Sequence, residues 1–333
     1  MTEPRSADPA GTALLRADRV VYRYPRRRGA TVAPPAVLDS VDLAVRPGEF
    51  VAVLGMNGCG KSTLLRLLAG ELTPDTGRIR VRLDDGAAPA ELSGLSRRAI
   101  ARRIAVVHQS LPPLPGLSVA AFVRQGRYPH EGALGALRRP AGAPGAEVER
   151  ALNAVGLTGA AHRLLDELSG GERQRARLAL ALAQAAPVLL LDEPIAHLDV
   201  RHQLQMLALV DELRRTLGLT VVAVLHELDV AARAATRLVA LARGRVVADG
   251  APADVLDAEL LRTVYQVRGR VVPDALTGRP RCLVDEPVAE DGARDGHPTR
   301  FGHAGSPNVV LRRPSHTPPS PGSRVAHSEP PSG

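Results

Sequence analysis

Three short stretches of the chain are apolar almost without a break. They are FVAVLG at 50–55, VLLLDE at 188–193 up to its two acids, and TVVAVLH at 220–226 up to its histidine. None alternates polar with apolar positions. Runs this short with no polar face predict strands covered on both sides. After the first run, KSTLLRLLAGEL carries Leu64, Leu65 and Leu68 at helical spacing. Between the other two, RHQLQMLALVDELRRTLG puts Met206, Val210, Leu213 and Leu217 on one helical face, with Gly218 as a stop. LVALARGRVVADG at 238–250 reads as a hairpin turning at Arg243–Gly244. From about Glu91 to Leu168 the pattern changes. Helical pieces such as EVERALNAVGL alternate with the loops PPLPG and RRPAGAPG, which predicts a mostly helical insertion in an α/β domain.

The ends differ from this body. Residues 1–13 read as a flexible leader, and YPRRRGATVAPP at 24–35 as a polar loop. From 286 to 333 the chain is rich in Pro, Ser, Gly and His, with too few apolar residues to offset ordering entropy, so a disordered tail is predicted. The domain between spans 14–285. Its longest apolar run, 178–191, is broken by Gln184 and Pro187 and falls short of the roughly 20 residues a bilayer span needs. Any membrane attachment would therefore run through another protein.

Composition narrows the function. The net charge is +8, and arginines spread over solvated helices account for it. Aromatic residues are 2% of the chain and tryptophan is absent, which disfavours platforms that stack bases; no nucleic-acid partner is expected. Cys59 and Cys282 lie too far apart for a metal-binding spacing. Lys61 is the single lysine among 43 basic side chains. It sits in GMNGCGKST at 55–63, which matches G-x-x-x-x-G-K-[ST] between a predicted strand and a predicted helix. Gly55, Gly58 and Gly60 let backbone N–H groups turn toward phosphate oxygens, with Asn57, Cys59 and Thr63 in the same loop. Lys61 would reach β/γ-phosphates, and the Ser62 hydroxyl would ligate Mg²⁺. A planar guanidinium cannot replace a compact ammonium there, which explains one lysine in an arginine-rich chain. Cys59, beside Lys61 near a helix N-terminus, is expected to favour the thiolate.

LSGGERQR at 168–175 resembles the signature of ATP-binding cassette (ABC) ATPases. ELSGL at 91–95 is a decoy, without the second glycine or the Arg-Gln-Arg run. Further matches follow in the family's order over about residues 14–285. The resemblance implies a P-loop NTPase cassette with a RecA-like core, an antiparallel β subdomain and an inserted α-helical subdomain. It implies that Ser169, Gly170 and Gly171 meet the γ-phosphate of ATP held by a second cassette. Asp192 of VLLLDEP would hold Mg²⁺, and Glu193 would act as general base. Asp199, in HLD at 197–199, would bridge the two cassettes. His226 would be the switch histidine, and Gln109, in VVHQS, would sense Mg²⁺ and link nucleotide to the insertion. Tyr24 would stack on adenine, with Tyr22 the less favoured alternative. Met56 and Ile195 depart from the family pattern, and modest effects are expected of both.

One chain carries one phosphate loop and one signature, so the resemblance implies a head-to-tail homodimer with two ATP sites. The segment QSLPPLPGLSVAAFVRQGRYPH would face a polytopic membrane permease, which would in turn meet a substrate-binding protein. GLSV, GRYPH, GCGKST and LLRTVYQVRGRVVPDALTGRPRCLV resemble the ferric-siderophore, cobalamin and haem importers, the ferric citrate and enterobactin type most closely. That implies ATP-driven import of an iron–siderophore complex from the cytoplasmic face of the membrane. Cobalamin or haem import stands as an alternative, as does a permease-free cassette in iron–sulfur assembly.

Overall fold

The computed structural model describes residues 12–25, 34–83, 88–109, 114–131, 145–196 and 198–288. The leader, most of the 24–35 loop and the tail beyond 288 lie outside them. The chain begins with strands β1 (Leu15–Tyr22), β2 (Leu38–Val45) and β3 (Phe50–Leu54), then helix α1 (Lys61–Leu68). Strands β4 (Thr76–Val81) and β5 (Ala90–Glu91), helix α2 (Arg97–Ala101) and strand β6 (Ile104–Val107) follow. Helices α3 (Val119–Arg124), α4 (Ala146–Ala154) and α5 (Gly170–Ala183) lead to β7 (Val188–Asp192). Helix α6 (Val200–Leu217), β8 (Thr220–Val224), α7 (Leu228–Ala234), β9 (Arg237–Ala242) and β10 (Arg245–Gly250) come next. The described chain closes with α8 (Pro252–Val255), α9 (Ala258–Thr263), β11 (Val267–Pro273) and β12 (Pro280–Pro287).

Six strands form the central sheet in the order β10-β9-β3-β8-β7-β6. The five from β9 to β6 are parallel, and β10 runs antiparallel to β9. The apolar runs make sense here, because alternate residues of each strand enter different cores. Phe50, Ala52 and Leu54 face one with Leu189, Leu191, Val221 and Ala223. Val51 and Val53 face the other with Val188, Leu190, Val222 and Val224. The first core is covered by α3 to α7. The second is filled by Leu64, Leu65, Leu67 and Leu68 of α1 and by the antiparallel sheet β2-β1-β4-β5. Helix α1 is thus held between two sheets, which fixes the loop that precedes it.

Three expectations need correction. The helical insertion does not begin at Glu91. β6 lies at 104–107 and pairs in parallel with β7, and Leu92, Ile100 and Ile104 belong to the second core. Four residues, IAVV, are too short a run to stand out beside the helical patterns around them, so the sheet's edge strand reads as part of the insertion. The inserted helices start only after Gln109. Leu217 does not join the buried face of α6: Met206, Leu207, Val210 and Leu213 do, whereas Leu217 is 56% exposed in the last turn. Residues 286 and 287 do not open a tail; they complete β12 against Val267 and Arg268 of β11. The hairpin turn does fall at Arg243 and Gly244, both at positive φ (48° and 76°), the pattern that suits the twist of a two-residue hairpin.

Candidate active site

The parallel strands deliver the sequence-predicted residues to one edge. The phosphate loop follows β3, His226 lies two residues beyond β8, Asp192 ends β7 with Glu193 next, and Gln109 lies two residues beyond β6. Since β3, β8, β7 and β6 are neighbours in that order, their carboxyl ends form one row. The crevice outside the carboxyl ends of a parallel sheet is where ligands of such folds bind.

The loop itself is built for close approach. Gly55 has φ 142°, and a Cβ there would lie 2.2 Å from the Leu241 carbonyl oxygen. Gly60 has φ 110°, and its Cβ would meet Leu38 at 2.6 Å. Gly60 also caps α1 with no side-chain acceptor, leaving the first N–H groups of the helix to an outside anion. Lys61 is only 5% exposed. Its Nζ donates to the carbonyl oxygens of Gly55 at 2.8 Å and Met56 at 2.9 Å, so the ammonium is folded into the loop and forms no ion pair among the described residues. Ser62 Oγ donates to Asp192 Oδ1 at 3.0 Å. Burial pushes the Asp192 carboxyl above its ordinary range; the Ser62 hydrogen bond opposes this, and the nearby Glu193 charge adds to it.

Glu193 joins the other predicted groups. Its Oε2 accepts from Gln109 Nε2 at 2.6 Å, and its Oε1 lies 2.6 Å from His226 Nε2. Glu193 also holds φ 50°, a left-handed backbone uncommon for any residue but glycine. Tyr24 is the exposed member of the tyrosine pair at 39%, while Tyr22 is 6% exposed and belongs to the second core. Their rings meet edge to face at 5.1 Å, and the Tyr24 hydroxyl shares a hydrogen bond with Thr63 Oγ1 at 3.1 Å. Met56 is exposed at the loop and Ile195 is buried in the first core.

The signature residues are held by contacts of their own. Ser169 caps α5: its hydroxyl accepts from Glu172 N–H at 3.2 Å, and its own N–H donates to Glu172 Oε2 at 2.8 Å. Space around Gly170 is open, and Gly171 faces the His202 ring. Asp199 caps α6 through His202 N–H at 2.9 Å and approaches His202 Nδ1 at 2.8 Å. Among the described residues, none of these four hydrogen-bonds to the phosphate loop. His197 lies outside them. Cys59 corrects an expectation. Burial pushes its thiol up and outweighs the opposing pull of Lys61 and the backbone N–H groups, so the thiol form is favoured. Two further contacts escape sequence reading. His108 Nε2 lies 3.2 Å from Glu71 Oε1, and Arg177 Nη1 donates to the Gln109 carbonyl at 3.1 Å. His108 carries no role of its own in VVHQS, Arg177 lies outside the motifs, and only the three-residue step from Gln174 puts Arg177 on the inner face of α5.

A glycine loop at a helix N-terminus, a buried lysine, and a strand-end acid pair beside a histidine and a glutamine define a P-loop nucleoside triphosphatase of the cassette type. The family model described as ABC transporter matches residues 38–196. The ferric enterobactin transport ATP-binding protein FepC of Escherichia coli (strain K12) is 38% identical over 244 residues, which cover 73% of this chain and 87% of that protein. The cobalamin import ATP-binding protein BtuD of Halobacterium salinarum (strain ATCC 29341 / DSM 671 / R1) is 43% identical over 282 residues, 85% of this chain and 68% of the relative. Among solved structures, a dimeric post-hydrolysis state of the ATP-binding cassette MJ0796 bound to ADP and Pi aligns with TM-score 0.57 at 26% identity, covering 72% of this chain and 98% of that one. The chain belongs to the ABC transporter family and is an ATP-binding, ATP-hydrolysing cassette.

Proposed function

We propose that this chain hydrolyses ATP to drive import of a ferric siderophore complex through a separate polytopic permease. The hydrolytic half of the reading rests above all on one arrangement: Glu193 held between Gln109 and His226, beside the Ser62–Asp192 pair. The cargo half rests on likeness to a ferric enterobactin transport protein over 87% of that protein's length. Likeness to a cobalamin import protein keeps cobalamin as the second reading.

The adenine lies against Tyr24, and the loop from Gly55 to Thr63, with Asn57 and Cys59 in it, wraps the phosphates. The first N–H groups of α1 meet the β-phosphate, and Lys61 exchanges its two carbonyl partners for β/γ oxygens. Ser62 and Asp192 suit Mg²⁺: they offer adjacent oxygen donors, and a buried carboxyl pushed upward gains from a cation. Gln109, held at Glu193 through its Nε2, would offer its amide oxygen as a third ligand. Bound there, Mg²⁺ would supply charge neutralisation for the phosphates. Glu193 takes the proton of the attacking water as its oxygen bonds the γ-phosphorus and the bond to the β,γ-bridging oxygen breaks. His226 orients that carboxylate and contacts the γ-phosphate.

Ser169, Gly170 and Gly171 complete the site of a second copy. Among the described residues they make no hydrogen bond to the loop of their own chain, which fits a head-to-tail dimer in which each site uses both chains, with Asp199 at the junction. No helix among the described residues is long and apolar enough to cross a membrane. The permease therefore provides the attachment to the cytoplasmic face and, outside, the link to a substrate-binding protein. A groove of about 420 Å³ opens between the sheet edge and the inserted helices. Leu114, Phe122 and Gln125, from the segment expected to face the permease, line one side of it.

The test is Glu193→Gln. Phosphate release is expected to fall at least about 100-fold, the lower end for loss of a general base, with ATP binding retained and ATP-bound dimers accumulating on size exclusion. Wild-type turnover in that variant overturns the assignment of Glu193.

A further inference from the structure

Among the described residues, several arginines are ion-paired: Arg237 pairs with Asp249 and Glu49, Arg80 with Asp18, Arg214 with Asp211, and Arg245 with Asp39. Five others, of which Arg97 and Arg177 line the groove, meet carbonyl and amide oxygens. Arg97 donates to the Gly70 carbonyl at 2.6 Å, Arg98 to the Pro129 carbonyl at 2.7 Å, and Arg102 to that same carbonyl at 3.0 Å. Arg127 donates to the Ala183 carbonyl at 2.8 Å. Arg177 donates to the Gln109 carbonyl and to Gln174 Oε1, both at 3.1 Å. Among the described residues, none of these five forms an ion pair. Glu71 touches the lining residue His108, but Arg66 holds it as well.

Arg177 is the sharpest case. It lines the groove together with Arg97 and His108. Burial, and then the charge of Arg173, hold its guanidinium below the ordinary arginine range. Burial acts in the same sense on Arg237, but there Asp249 and Glu49 outweigh it. A half-buried guanidinium with no counter-charge gains from an incoming carboxylate, which it can grip with two parallel N–H groups. Arg177 also holds the backbone of Gln109, whose side chain holds Glu193.

We propose that Arg177 recognises an acidic side chain on the permease segment seated in this groove, with Arg97 at the rim, and passes its docking to Gln109. The inference rests on the permease-coupled reading above and names the chemistry of the partner's contact. Arg177 acts here as a positioning residue; it does not touch the nucleotide.

The test uses the full chain and the permease it works with, in nanodiscs of zwitterionic phosphatidylcholine. Arg177→Glu is expected to weaken docking by about tenfold or more, the loss of a charge-assisted pair, and to flatten its dependence on NaCl. Arg177→Lys restores most of the affinity. Replacing the matching permease carboxylate by lysine rescues Arg177→Glu. With permease at saturation, its stimulation of ATP hydrolysis drops toward none in Arg177→Glu. If Arg177→Glu does not fold, substituting the permease's cytoplasmic Asp and Glu residues by glutamine or asparagine, one at a time, against wild-type cassette must locate one that gives the same loss. Tight docking that ignores both Arg177 and every such carboxylate overturns this inference alone. Wild type that fails to dock at all overturns the permease reading and this inference with it. Docking to empty phosphatidylglycerol nanodiscs, as tight as to permease and lost in Arg177→Glu, assigns the site to lipid headgroups and also overturns it.

Discussion

Glu193 sits at φ 50°, a conformation that costs a non-glycine residue about 1–3 kcal/mol. The neighbouring strands and the bonds from Gln109 and His226 hold it there, aiming the carboxylate along the strand ends. Type and order of such residues were readable: a lone lysine in a glycine loop and two acids ending an apolar strand each suggest their chemistry. What could not be read was environment. Cys59 has a lysine two residues on and a helix start nearby, yet its burial against the second core, which includes residues as distant as Leu241, decides its titration. Maleimide should therefore label Cys59 more slowly near neutral pH than an exposed thiol, with the rate still climbing as pH passes the ordinary cysteine range. ATP with Mg²⁺ should slow labelling further. Rates unchanged by nucleotide would count against the loop geometry proposed here.

At the scale of the element, the capping box of α5 carries two tasks. Ser169 and Glu172 satisfy each other's backbone N–H groups and so fix the helix end that presents Gly170 and Gly171. The Ser169 N–H and hydroxyl, with Arg163 beyond, hold the Glu172 carboxyl below its ordinary range. A carboxyl depressed on folding stabilises above its unfolded pKa, and that contribution is lost as pH falls through the folded value. Ser169→Ala should cost about 1 kcal/mol near neutral pH, and distinctly less in acid where Glu172 is protonated. Thermal unfolding of both proteins across pH measures this; an equal cost at every pH contradicts it. Elements were legible where their periodicity was long or unbroken. β3, β7 and β8 read as strands because both faces are covered, and α6 because its apolar positions recur at helical spacing from Met206 to Leu213. β6 was absorbed into the insertion because four residues do not establish a period, and its identity comes only from pairing with β7.

For the whole molecule, strand order is the consequential fact. No local pattern encodes that β3, β8, β7 and β6 lie side by side, yet this order sets Gln109, Glu193 and His226 within hydrogen-bonding reach across more than a hundred residues. Family order of the motifs supplied that arrangement in advance; periodicity and composition did not. The same architecture leaves a groove lined by Arg177 and the inserted helices. In the proposed reading a permease docks there and reaches Glu193 through Arg177 and Gln109, while Ser169–Gly171 serve the nucleotide of a second cassette. In the proposed function this ATP hydrolysis powers uptake of a ferric siderophore, and the decisive measurement is uptake of radiolabelled ferric siderophore in cells deleted for the chain. Uptake is expected to be lost in the deletion, to return with wild type, and to stay absent with Glu193→Gln. Undiminished uptake in the deletion, or full rescue by Glu193→Gln, would overturn that function.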